Sequence, residues 1–187
     1  MQTEKILSPQ ERRYTLLPIQ HSELFRMDKE ARAQFWVADE IDLSTDKFDE
    51  LSLVEQTYLK NILAFFAGSD GIVNQNIDSN FLSEVEVLEI RRFYNFQTAI
   101  EDEHSEFYSN LIETYIKNPT EKQQLFNALE EVPAVKMKMK WALDWMNKDC
   151  SFVEKLVAFA LVESLFFQSQ FASVFYFRER NTLTGLC

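Results

Sequence analysis

A chain of 187 residues, 46% hydrophobic and 26% charged, is long enough for one domain with a substantial core. Its 3 Gly and 4 Pro beside 17 Phe leave too little punctuation for the many turns of an all-β fold, and a net charge of −11 would repel nucleic-acid phosphates and anionic lipid headgroups. Cys150 and Cys187 form no CxxC pattern and "MQTEKILSPQERRY" lacks the apolar core of a signal peptide, so the expected setting is reduced and cytoplasmic, with neither nucleic acid nor membrane as partner.

Residues 1–20 show no hydrophobic period and read as an extended arm or loop. "HSELFRMDKEARAQFW" reads as a helix with Ser22 as its N-cap and Phe25, Ala31, Phe35 and Trp36 as apolar positions. "EIDLSTDKFDEL" is a polar connection. From Ser52 to about Asn76 the chain is helical, with Leu59, Leu63, Phe66 and Val73 on one face. Another helix covers roughly 83–116, and "KNPTEKQQLFNALEEVPAVKMKMKWALDWM" supplies two pieces divided at Pro133. A last apolar helix occupies about 152–180. With no repeat or interdomain linker, the organisation is an arm over 1–20 and a single all-α domain over 21–187.

The last helix is long enough to cross a bilayer, but Glu163 lies near its middle, and Gln168, Gln170 and serines follow along it. It is expected instead as the buried central helix of a soluble bundle. Glu163 then shares a stripe with Ala160 and Phe167, where an unpaired charge costs several kcal/mol. Asp70 breaks the apolar face of its own helix in the same way. In "TAIEDEHSEFYSNLI", Glu101, His104 and Tyr108 fall on one helical face. A cation would neutralise several buried carboxylates and accept an imidazole nitrogen, and hard oxygen donors with one nitrogen suit iron or manganese better than zinc.

Singly, each feature has a plainer reading. One acid three residues before a histidine arises readily by chance among 30 acids. Asp70 could bond backbone groups freed at Gly68 or Gly71, Glu163 could be protonated, and Tyr108 and the neighbouring phenylalanines could be ordinary packing. Together, two inward acids and a Glu-x-x-His on three long helices make three-quarters of the dinuclear carboxylate arrangement of helical bundles.

"FWVADEIDLSTD", "LAFFAGSDGIVNQN", "AIEDEHSEFYSNLIETYIKNP" and "VAFALVESLFFQSQFASVFYF" resemble consecutive signature blocks of the small, radical-generating subunit of class I ribonucleotide reductase, of the eukaryote-like branch. The resemblance spans most of residues 20–187. It implies a ferritin-like helical bundle that uses a dinuclear iron centre, or a manganese–iron one, and oxygen to form a tyrosyl radical. It also implies a large catalytic subunit as partner, to which that radical passes for deoxyribonucleotide synthesis. Carried over by position, Asp70, Glu101 and His104 become ligands of the first metal, Glu163 a ligand of the second, and Glu101 the bridge. Tyr108 falls on the radical position, Phe167 and Phe171 on the apolar shell that shields it, and Trp36 on the tryptophan that relays electrons to the metal site.

The departure from the family pattern comes after Glu163. A second Glu-x-x-His is expected a few tens of residues on, followed by further bundle helices and a flexible tail, yet the sequence reads only to "NTLTGLC", and His21 has no acid three residues before it. The bundle is therefore expected to be incomplete at its C-terminus. One reading is a subunit completed by a second polypeptide, as a homodimer or a hetero-oligomer with a complementary C-terminal fragment. Another is a truncated piece of the whole subunit, and a third is a non-catalytic module of the same fold that binds reductase subunits.

Overall fold

The computed structural model describes residues 4–127 and 132–187. The start of the expected arm, 1–3, and positions 128–131 ahead of the Pro133 division lie outside the described residues. Seven α-helices are described: α1 (Ser22–Arg32), α2 (Leu53–Asn76), α3 (Leu88–Tyr115), α4 (Pro119–Phe126), α5 (Pro133–Met146), α6 (Phe152–Leu161) and α7 (Gln168–Glu179). A π-helical turn at Ile77–Leu82 extends α2, and another at Val162–Phe167 joins α6 to α7. Among the described residues there is no strand, only an isolated antiparallel bridge between Arg12 and Val87.

Local chemistry sets the helix starts. Ser52 and Glu55 form a reciprocal capping box at α2, and Ser151 and Glu154 repeat it at α6. Asn118 accepts the amides of Thr120 and Glu121 ahead of Pro119, the first residue of α4. Pro133 opens α5 at the predicted division, where its missing N–H costs nothing.

At α1 the N-cap is His21, not Ser22, because the non-helical backbone sits at His21 and its carbonyl takes the Phe25 amide at 3.0 Å. This helix stops at Arg32, short of Trp36; the amides of Gln34 and Phe35 close tight three-residue turns instead. Likewise α3 starts at Leu88 rather than near 83. The intervening backbone is engaged elsewhere: Glu86 N–H donates to Ile6 O at 2.9 Å, and Arg91 donates to the carbonyls of Leu82 and Val85.

The segment from 4 to 20 takes the loop alternative, with turns of 3-10 helix at Lys5–Leu7 and Pro9–Glu11. Arg13 ties it down by donating to the carbonyls of Thr15, Leu16 and Pro18 and to the buried carboxylate of Glu89. Glu89 also accepts the backbone amides of Gln20 and His21. Burial alone would raise its pKa, but these bonds outweigh it and hold the carboxyl at about 2. The polar connection contains a 3-10 turn at Phe48–Glu50 and buries Phe48, whose ring stacks on Tyr115 at 4.9 Å.

Helices α2 and α3 form the most extensive pair and run antiparallel, since Asn74 bonds Asp102 near one end while Phe66 stacks on Tyr108 further along. Leu59, Leu63, Phe66, Leu111 and Ile112 are almost wholly enclosed, each contributing roughly 1.5–3 kcal/mol of burial. Helix α7 lies antiparallel on α2: Phe65 meets Phe167, Tyr58 bonds Ser173 at 2.7 Å, and Glu55 accepts from Tyr176 at 3.2 Å.

The expected central, buried last helix is corrected in part. The stretch Phe152–Glu179 is long and apolar enough to cross a membrane by length and composition, and only 28% of its apolar 18-residue segment is buried. Phe152, Phe159, Val162, Phe167, Val174 and Phe177 face the core, while Val153, Val157, Leu161, Leu165 and Phe175 form an exposed apolar stripe. The described residues cover one face of this helix and leave the other open.

Candidate metal centre

Two helices, α2 and α3, bring three potential ligands together, and Glu163 lies near enough for its charge to bear on them. Asp70 comes from the middle of α2 and is 1% exposed; Glu101 and His104 come from adjacent turns of α3. One ligand atom from each of these three side chains lies within 4.8 Å of the others. His104 directs Nδ1 at Glu101 Oε2, 2.9 Å away.

Glu163 enters from the π-helical turn. As a residue it is half-buried, yet its Oε1 is shut off from solvent and has no hydrogen-bond partner, as is also true of Asp70 Oδ2. Burial pushes the Asp70 carboxyl up to about 9, with the charges of Glu101 and Glu163 adding to the shift. Burial, then the charge of Glu101, raises Glu163 to about 8. Two orphaned buried oxygens and mutually repelling carboxyls are the defect a bound cation repairs, and the oxygen-rich set with one imidazole fits iron or manganese.

Tyr108, 7% exposed, lies one turn beyond His104, with ring centroids 6.3 Å apart. Burial raises its pKa, and the charges of Asp70, Glu101 and Glu163 add to this, so the phenol is held protonated. Phe66 stacks on Tyr108 at 4.6 Å and in turn contacts Phe171 at 5.1 Å and Phe167 at 5.9 Å. The two phenylalanines singled out in the sequence thus join the tyrosine through Phe66, which sequence reasoning treated only as a core position. On the opposite flank Trp36 packs against His104 at 5.7 Å and edge-on to Phe107 at 5.6 Å.

The π-helical geometry at Glu163 was also missed. Its faint signal is Ser164, whose hydroxyl donates back to Ala160 O at 2.6 Å, a bond that bends helices. π turns inside α-helices recur at functional sites because they re-aim side chains.

The family model for the ribonucleotide reductase small chain matches residues 13–187. The ribonucleoside-diphosphate reductase small subunit of Dictyostelium discoideum is 50% identical over 186 residues, covering 98% of this protein and 55% of its own length. The corresponding small chain of Spisula solidissima is 48% identical over 188 residues, 99% of this protein and 49% of its own length. Among solved structures, the Rnr4 homodimer from Saccharomyces cerevisiae superposes with a TM-score of 0.82 at 33% identity, covering 94% of this protein and 56% of that one. Dimanganese(II)-NrdF from Streptococcus sanguinis, at 18% identity, shares the fold with a TM-score of 0.84 over 94% of this protein and 62% of its own length. The chain spans about half the length of the curated relatives it matches. By its sequence match and its ferritin-like helical fold, it belongs to the ribonucleotide reductase small-chain family.

Proposed function

We propose that this chain is a component of a ribonucleoside-diphosphate reductase small subunit that holds a dinuclear iron or manganese–iron centre and a tyrosyl radical on Tyr108. The observation that carries the reading is the convergence of Asp70, Glu101 and His104 within 4.8 Å, with the orphaned Glu163 Oε1 electrostatically coupled to the same acids. In this reading Asp70, Glu101 and His104 would hold the first metal and Glu163 would serve the second, with Glu101 shared between them. When bound, such a metal pair would supply, with oxygen as oxidant, the oxidising power that a buried phenol requires.

The protein's own part is to orient and shield. Tyr108 would be the phenol that this centre oxidises; Phe66, Phe167 and Phe171 would keep water and reductants from its ring; Trp36 would pass electrons inward beside His104. The radical serves a large catalytic subunit in the cytoplasm, without nucleic acid or membrane as partner. The arm (1–20) and helical domain (21–187) form one part of the working bundle. A second polypeptide or a further stretch of the same protein supplies the missing Glu-x-x-His and covers the stripe of Val153, Val157, Leu161 and Leu165, whose exposure supports this completion.

Alone, the chain is expected to bind at most one iron weakly and to give no stable radical after ferrous iron and oxygen. With a fragment carrying the second Glu-x-x-His and the tail, metal stoichiometry should approach two and electron paramagnetic resonance should show a tyrosyl radical. Tyr108→Phe in that complex should still oxidise iron but lose the radical. A full radical in the Tyr108→Phe complex would overturn the assignment. The alternative is a non-catalytic module of the same fold that binds reductase subunits without making a radical. A complex that fills both metal positions and never yields a radical would support that reading.

A further inference from the structure

Between Glu101 and His104 on α3, Glu103 points away from the metal face and towards the segment linking α1 to α2. Its Oε2 accepts the backbone N–H of Ala38 at 2.9 Å. Ala38 is 4% exposed and is the first residue of a 3-10 turn, Ala38–Glu40, so its amide is one that the turn itself leaves unpaired. A carboxylate on a buried amide makes one of the stronger hydrogen bonds available to a protein.

Two residues before Ala38 is Trp36, whose ring rests on His104 and Phe107. The linking segment belongs to no α-helix, and its upstream end is anchored by Arg32. That guanidinium bonds Asp28 and the Arg92 carbonyl and lies over Phe96, on which Phe35 also packs. Its downstream anchor on α3 is Glu103. One helix therefore turns Glu101 and His104 to the metal side and Glu103 to the tryptophan side within four residues.

We infer that Glu103 is a positioning residue: by holding the Ala38 amide it seats the Trp36 indole on the His104 imidazole. Its consequence for electron delivery rests on the proposed role of Trp36 as a relay, whereas the seating itself does not.

The test uses the metal-free chain with Trp141→Phe and Trp145→Phe, so that Trp36 alone fluoresces. Glu103→Ala should raise acrylamide quenching of Trp36 severalfold and shift its emission to the red, with far-ultraviolet circular dichroism unchanged. Glu103→Gln keeps an acceptor oxygen and should stay near the parent. Ala38→Pro removes the donor at a site where the preceding Val37, at φ −120° and ψ 150°, already has the backbone a proline requires. It should reproduce the Glu103→Ala effect, and the double variant should add nothing further. Unchanged quenching in Glu103→Ala, equal disturbance by Ala and Gln, or additivity of the two single changes would each overturn the inference. In the metal-loaded complex, Glu103→Ala should also slow electron delivery to the centre. Moved fluorescence with an unchanged delivery rate would sink the relay role and leave the positioning role intact.

Discussion

His104 Nδ1 lies 2.9 Å from Glu101 Oε2, a contact between neighbouring turns of α3 that occupies the two atoms best placed to share a metal. Without metal these two atoms face each other across a hydrogen bond, and a cation held by both must displace that contact. Manganese(II) titrations followed by calorimetry in buffers of different ionisation enthalpy should show proton release, because the carboxyls of Asp70 and Glu163, raised to about 9 and about 8, must ionise to hold a metal. His104→Ala should weaken binding by at least about tenfold, the loss that disturbing even an indirect partner of a metal produces. Full affinity in the variant would remove His104 from the site, and proton-neutral binding would remove the two raised carboxyls.

Glu163 offers a sharper discrimination between metal holding and tolerated burial. Glu163→Gln keeps the shape and removes the charge, so in the completed protein it should empty the second metal position while the helix persists. Metal content after reconstitution and far-ultraviolet circular dichroism together check this. If metal content is unchanged and Glu163→Leu simply raises thermal stability, the acid is only a tolerated core group.

The pH dependence of the metal-free chain follows from Asp70 at about 9 and Glu163 at about 8, both above ordinary carboxyl values. Below a pH of about 4 both groups are protonated whether folded or unfolded, and burial carries no ionic penalty. As pH rises the unfolded chain releases these protons first, so the folded state binds more protons and stability falls until both folded pKa values are passed. Melting temperature should drop between pH of about 6 and about 9.5, a window above the acid loss of the Glu89 network. Saturating manganese(II) should flatten or reverse the slope, as should Asp70→Asn in part. A metal-free melting temperature that rises over the same window would contradict the buried-acid description.

Phe66 joins Tyr108 to Phe167 and Phe171, so its removal should be felt twice. Phe66→Ala should cost about 3–5 kcal/mol of stability through the cavity it leaves, measured by urea unfolding. Phe66→Leu should cost less, yet in the reconstituted complex it should still shorten the lifetime of any radical on Tyr108 by admitting reductant. An unchanged lifetime would assign the shielding to Phe167 and Phe171 alone.

The long helices and the inward acids were legible because both obey the 3.6-residue period: Leu59, Leu63, Phe66 and Asp70 mark one face, and Glu101, His104 and Tyr108 another. The start of α2 was legible at Ser52, and Pro133 marked the division at which α5 starts. What escaped depends on contacts distant in sequence. Arg13 meets Glu89 across 76 positions and folds an arm that looks featureless by itself. The start of α3 is delayed because Ile6 takes the Glu86 amide, and Phe66 gains its place beside Tyr108 only when α2 and α3 pair. The openness of one face of the last helix could not be read from its composition, since an apolar helix looks the same whichever neighbours cover it.

The π-helical turn at Val162–Phe167 has a consequence for register. Val162 and Phe167 are both buried, although five residues of ideal α-helix would set them roughly 140° apart. The wider turn absorbs that mismatch, so the residues ahead of it and those behind it follow two different angular phases around a common axis. Removing one residue from the turn would merge the phases into one. Phe152 and Phe159 would keep their seats, but Val174 and Phe177 would swing by roughly 100° from the core towards solvent. The carboxylate thus sits where the helix changes phase, and the seam ties the direction of Glu163 to the docking of every apolar side chain downstream.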